Sequence, residues 1–477
     1  MAEEFDYSYD ENQDDSLSVE QGPIQPGQAT TAYDSGGVEE HQAFARAAAD
    51  AAYVRTMEFE ADSLLLKNNA YVSRGVTKLD WNDIHVRGLI GVGGFACVCK
   101  VRVPILEDDD DEDSEFGADP ASPSSNGGRS SSRRSSIGDD SSSSCGRSTC
   151  STSDKNGAPY YALKCLNQVT VSDQHLFVTG AADLASEALI LSHLEHPNIV
   201  RLYGVTKGGV STAFQEQGGY FLLLELLRGT VLDLLRLWRK DLQTPAKAAK
   251  IPSQLERLEG MCVGVARGME YLHEHNIIMR DIKPHNIGFD KSGNVRLFDL
   301  GLARELNTSN TTALDGRIAG VAGSYRYMAP EVALGDGCCF GSDSYSFGIF
   351  LWEILTLTKP FERIKGKIEF REKVAKHGQR PPLKGVTSPV LQALMKDCWN
   401  SKPEQRPTFS QIVQIIEAEV AAAPEELQQQ GRTKAVQVRT MRENFKFLKK
   451  NLQKKVQERR RSLASTTSTT SGWEYIK

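Results

Sequence analysis

The sequence predicts an α+β fold, and three segments carry the prediction. At Trp81 the chain turns β-rich in WNDIHVRGLIGVGGFACVCKVRV, with glycines clustered at its centre. PYYALKCL, from Pro159, alternates as a strand does, and Lys164 lies near its end. ASEALILSHLEHPNIV, residues 185–200, reads as an amphipathic helix followed by another strand. With 477 residues, 40% of them apolar and 25% charged, the chain can bury one large two-lobed core or two smaller domains.

The rest of the chain is organised by composition. Residues 1–37 are acidic, polar and poor in aliphatics, which predicts disorder. Residues 38–80 form an extension whose Ala-rich part, to about 67, predicts a helix. The segment 81–420 is the predicted main domain. It is interrupted at 107–158 by EDDDDEDSE and a Ser-rich run that bury too little apolar surface to fold. Within that insertion Arg133 and Arg134 stand before Ser135 and Ser136, a pattern similar to sites of basophilic kinases.

The tail, 421–477, is basic. Between Arg432 and Arg461 it has 12 Lys or Arg and two acids, with Val438, Met441, Phe445, Leu448 and Leu452 along one helical face. Such a helix suits an anionic membrane surface, a calmodulin-like partner or an acidic segment, including the chain's own at 1–20 and 107–115. No apolar run reaches the length of a membrane span, and the acidic N-terminus lacks the pattern of a secretory signal. Nine cysteines without metal-ligand spacing read as free thiols in a reducing compartment. The expected location is cytoplasmic, with the nucleus also open. No feature calls for specific nucleic-acid binding.

The chemistry concentrates in IMRDIKPHN, residues 278–286, where Pro284 makes a loop and Asp281, Lys283 and Asn286 supply an acid, a base and an amide. GVGGFACV, residues 91–98, lies between strand-like segments and suits close approach to phosphate, as it also suits an ordinary hairpin turn. Lys164 and Glu187 taken singly are as compatible with solvated positions. DLG at 299–301 and APE at 329–331 follow in order.

This ordered set resembles the protein-kinase family over roughly 83–419. GSYRYMAPE and DCWNSKPEQRPTFSQIV look most like the tyrosine-kinase-like group of serine/threonine kinases. The resemblance implies a bilobal fold, with a small β-rich lobe carrying one regulatory helix and a larger helical lobe. It implies transfer of the ATP γ-phosphoryl group to Ser and Thr of protein substrates, with Mg²⁺ as cofactor. By resemblance, Asp281 orients the substrate hydroxyl and takes its proton, and Lys283 steadies the transferred group. Asn286 and Asp299 hold the metal. Gly91, Gly93, Gly94, Val98, Ala162, Lys164, Glu187 and Glu225 bind the nucleotide. Ser324 is expected to donate a hydrogen bond linking its loop to Lys283 and Asp281, and Arg406 to pair with Glu331.

Three departures stand out. Met279 replaces a histidine and Leu300 a phenylalanine; with Leu191 and Leu202 they are expected to fill a buried stack. Gly288 stands where the family has an aliphatic side chain beneath adenine, so Val98, Ala162 or Phe289 would have to close the gap. Arg280 is expected to receive a phosphate from the segment carrying Thr308, Ser309, Thr311 and Thr312. The other function class open to this sequence is a scaffold that binds partners without catalysis.

Overall fold

The computed structural model describes residues 35–63, 65, 76–106, 159–210, 219–306 and 317–422. The acidic start, the insertion with Ser135 and Ser136, residues 307–316 with their candidate phosphosites, and the tail with its expected calmodulin-like or acidic partner lie outside the described residues.

Six strands make the first lobe: β1 (Thr77–Leu79), β2 (His85–Val92), β3 (Ala96–Arg102), β4 (Tyr161–Leu166), β5 (Leu202–Thr206) and β6 (Phe221–Glu225). Their order is β1-β5-β6-β4-β3-β2, with β1 parallel to β5 and the other pairs antiparallel. The period of two in these strands splits the lobe's side chains between two cores. Cys97, Cys99, Tyr161, Leu163, Cys165, Phe221 and Leu223 close an outer core with Leu79 and Ile84. Ala162, Leu166, Leu222 and Leu224 face the other way and join the core of the helical lobe, with Val98 packed at its margin. The insertion interrupts the chain between β3 and β4, yet their ladder runs unbroken from Ala96 opposite Leu166 to Val101 opposite Tyr161.

β1 corrects the expected boundary. Residues 38–80 are not a helical extension throughout, because Thr77–Leu79 is already an edge strand of the sheet. Its three residues are too short to show alternation, and only pairing with β5 makes them a strand.

Helix α1 (Ser35–Asp62) packs along α2 (Gln174–Ser192). Ala45, Ala48, Ala49 and Ala52 recur every three or four residues and are buried in the same core as Ala181, Leu184, Ala185 and Ala188 of α2. Small side chains on both helices allow a close approach. Asp173 starts α2 by accepting a hydrogen bond from Leu176 N.

The helical lobe contains α3 (Val231–Asp241), α4 (Val263–Glu274), α5 (Phe340–Thr356), α6 (Pro389–Cys398) and α7 (Phe409–Ala421). Capping boxes of Thr230 with Asp233 and Thr408 with Gln411 begin α3 and α7. α5 is buried from Ser342 to Leu355, as its run of aromatic and aliphatic residues requires. Arg406 clamps Glu331 with two bonds of 2.7 and 2.8 Å, as the resemblance implies. Two short ladders complete the lobe: β7 (Ile277–Ile278) with β10 (Arg304–Glu305), and β8 (Ile287–Phe289) with β9 (Val295–Leu297).

Candidate active site

The loop after β7 is fixed from below by one buried carboxylate. Asp343 of α5 accepts from the amides of Met279 (2.8 Å) and Arg280 (2.9 Å), and its Oδ2 lies 3.0 Å from His273 Nε2. A missing imidazole at 279 therefore does not leave the loop untethered. Met279, Leu300 and Leu191 are all buried in the main hydrophobic core, and Leu202 is partly buried at its margin. Arg280 takes φ +68° and Asp299 φ +62°, left-handed conformations that non-glycine residues hold only when their surroundings enforce them.

Above that anchor, Asn286 Nδ2 donates to the main-chain oxygen of Asp281 (3.1 Å) and to its Oδ2 (2.9 Å). Lys283 Nζ reaches Asp281 Oδ2 and Ser324 Oγ, each at 2.8 Å. The expected link from Ser324 exists with a different polarity: its hydroxyl accepts from Lys283, and its backbone N–H donates to Asp281 Oδ1 at 2.9 Å. Gly323 makes this approach possible. A Cβ there would stand 2.4 Å from the Arg280 carbonyl oxygen, and its φ is +104°.

From the sheet lobe, Lys164 Nζ lies 2.6 Å from Glu187 Oε2 and 2.7 Å from Asp299 Oδ1. Burial works against the lysine's charge, but Asp299 and Glu187 outweigh it and hold its pKa above the ordinary value. Lys164 in turn keeps the Asp299 carboxyl below the usual range. Burial pushes Glu187 up, against the pull of Lys164. Arg304 beside them pairs with Asp183 of α2 at 2.8 Å.

The glycine turn joins β2 to β3. Gly91 ends within β2, while Gly93 N donates to Ala96 O at 2.7 Å. Asn167 holds the turn from beneath, its Nδ2 donating to Gly93 O (3.0 Å) and Gly94 O (3.2 Å). Val98 pairs directly with Lys164, and Ala162 with Leu224. The Glu225 side chain points elsewhere, 3.2 Å from Arg296 Nε, so any nucleotide contact at this position falls to its main chain. Arg280 is half-buried and bonded weakly to Gly320 O at 3.4 Å; the segment expected to deliver a phosphate lies outside the described residues.

Asp343, Asn167 and Gly323 escaped the sequence reading. Two acids, Asp343 and Glu353, within the largely apolar run SDSYSFGIFLWEILT were the available signal, since buried charge needs partners.

Two lysines, three acids and an amide thus lie where the sheet lobe meets the helical lobe, with Lys164 of β4 reaching Asp299. Residues 134–416 match the family model for protein tyrosine and serine/threonine kinases. The chain belongs to this kinase family. The kinase is 31% identical over 236 residues to serine/threonine/tyrosine-protein kinase HT1 of Arabidopsis thaliana, covering 49% of this chain and 53% of that protein. It is 29% identical over 256 residues to serine/threonine-protein kinase STY17 of the same organism, covering 54% and 40%. The chain spans about half or less of the length of these relatives. A protein-kinase domain implies ATP as substrate and, typically, Mg²⁺. No described helix is long and apolar enough to cross a membrane.

Proposed function

We propose that the protein is a serine/threonine protein kinase acting on protein substrates. The observation that carries this reading is the bridge of Lys283 between Asp281 and Ser324, set opposite the Lys164–Glu187–Asp299 cluster. Asp281 accepts from Asn286, Lys283 and Ser324 N, so its carboxylate is held in a fixed orientation towards an incoming hydroxyl. That hydroxyl attacks the γ-phosphorus and the bond to the bridging oxygen of ADP breaks. Asp281 receives the proton. Lys283 is the cation placed to meet charge on the transferred group, and Lys164 the one placed for the inner phosphates.

The residues also fit a magnesium ion. Asn286 is fully buried, and its Oδ1 has no hydrogen-bond partner. Asp299, with 46% of its side chain exposed, is a second hard oxygen donor. When bound, Mg²⁺ offsets phosphate charge. The protein's contribution is to present Asn286 Oδ1 and the Asp299 carboxylate as oxygen donors.

The test is transfer of labelled phosphate from Mg·ATP to generic protein substrates. Wild type is expected to label Ser and Thr, whereas Asp281→Asn and Asp299→Ala are expected to fall to background while remaining folded. Equal background labelling by all three, despite bound ATP, would establish the scaffold reading instead. Labelling dominated by phosphotyrosine would refute the Ser/Thr assignment.

A further inference from the structure

The cleft has a floor problem that its sequence poses and its structure answers. β8 follows the catalytic loop directly and carries Gly288 where the family resemblance implies an aliphatic side chain beneath the nucleotide base. The expected substitutes do not fill it: Phe289 alternates to the other side of β8 and is wholly buried, and Val98 and Ala162 belong to the sheet lobe above. The filler comes from the strap 226–230, which leaves β6 and enters α3 at the capping residue Thr230.

That strap runs beside β8 as a short ladder. Arg228 N donates to Phe289 O (2.8 Å), Phe289 N donates to Gly229 O (3.1 Å), and Thr230 bridges Gly288. The register brings Leu227 over the glycine. A Cβ built on Gly288 would lie 2.6 Å from Leu227 Cδ1, 3.3 Å from Leu227 Cβ and 3.2 Å from Gly229 O. Cβ atoms do not approach carbon to 2.6 Å, so the leucine stands in the volume that a side chain at 288 would claim. Leu227 is half-buried.

We propose that Leu227 and Gly288 are a size-exchanged pair, in which the interlobe strap rather than β8 supplies the apolar floor beneath the purine ring of the nucleotide. This rests on the kinase reading above. It replaces Val98, Ala162 and Phe289 as the residues that close the gap at Gly288: adding a leucine there does not improve nucleotide binding, because the space is already filled. It also makes Leu227 a binding residue that no motif identifies.

The experiment is a double-mutant cycle read by calorimetric binding of Mg·ADP, with KM and kcat for ATP as a second readout. Leu227→Ala opens the floor, so ADP affinity falls about tenfold, and KM rises by a similar factor with kcat changed less. Gly288→Leu alone forces the clash, and it either weakens ADP binding or lowers the melting temperature. The double variant Leu227→Ala/Gly288→Leu is expected to return to within about threefold of wild-type affinity, a coupling that independent sites do not show. A double variant that binds no better than Leu227→Ala overturns the pairing, as does Leu227→Ala binding ADP like wild type. Failure of the wild-type protein itself to bind Mg·ADP would instead overturn the kinase reading.

Discussion

The two sides of the cleft are held together in different ways. On the helical side, Asp281, Lys283 and Asn286 lie within the one segment 279–286 between β7 and β8, and Asp343 fixes two of its amides. On the sheet side, Lys164 depends on Glu187, which sits on α2, a helix with α1 packed along it. The first arrangement is anchored by the backbone of one lobe. The second exists only where α2 is placed correctly. Loss of an anchor should therefore cost stability and activity together on the helical side, and mainly activity on the sheet side.

The largest effect expected follows from Asp343→Ala. It leaves the Met279 and Arg280 amides without their acceptor, at about 1–3 kcal/mol each, so unfolding in urea should show a loss of roughly 3–5 kcal/mol. Phosphate transfer should fall to background. Glu187→Gln is the counterpart. Lys164 keeps Asp299 at 2.7 Å, and the variant removes a carboxylate whose charge burial disfavours. Its unfolding free energy should therefore change less than that of Asp343→Ala, while activity falls by about two orders of magnitude. Equal destabilisation by the two variants would erase the distinction between the sides.

A smaller effect tests whether α1 places α2. Ala49 is buried at 1% exposure, whereas Tyr53, one turn on, is 48% exposed. A glutamate at 49 cannot remain buried without a partner, so Ala49→Glu should lift α1 from α2. The expected result is a fall in kcat of about tenfold, with Mg·ADP still bound, because the strap and β8 are untouched. Tyr53→Glu should do nothing. If Ala49→Glu leaves kcat unchanged, α2 holds its position without α1.

The same contrast explains what the sequence disclosed. IMRDIKPHN was legible because its chemistry is local: an acid and an amide five residues apart meet directly across a proline turn. Glu187 was legible as the acid on the first amphipathic helix after Lys164. The pairing of Arg406 with Glu331 followed from resemblance. Leu227 was not legible, because which side chain fills the space at Gly288 depends on a strap register set between distant segments. Where the Glu225 side chain goes was not legible for a related reason: the sequence does not show the arginine on β9 towards which it turns. β1 was missed because three residues carry no periodicity.

The smallest effect concerns the joint between the sides. After α2 the chain passes through 196–200 and locks onto β9. Asn198 Nδ2 donates to Val295 O (3.0 Å), Leu297 N to Asn198 O (2.8 Å), and Val200 N to Leu297 O (2.9 Å). His196 shapes this joint by accepting from Asn198 N at its Nδ1 (3.1 Å), and its ring stacks on Tyr271 at 4.9 Å. An accepting Nδ1 has no proton, and burial, with Arg296, Arg267 and His275 nearby, holds the pKa at about 4. The folded value thus lies below the ordinary 6.5. The stability this ring contributes is complete above pH 6.5 and is lost as pH falls from there towards 4, because the unfolded chain takes up the proton first. The ring is partly exposed, so screening limits the effect to on the order of 1 kcal/mol. His196→Asn keeps an acceptor for Asn198 N and cannot titrate. Urea unfolding of wild type at pH 7 and pH 5 should show the loss, and His196→Asn should show less of it. The variant's kcat at pH 7 should stay near wild type, because the ring is neutral there and the joint is already closed. A wild-type protein and a variant with the same pH slope would show that His196 does not carry the acid sensitivity of this joint.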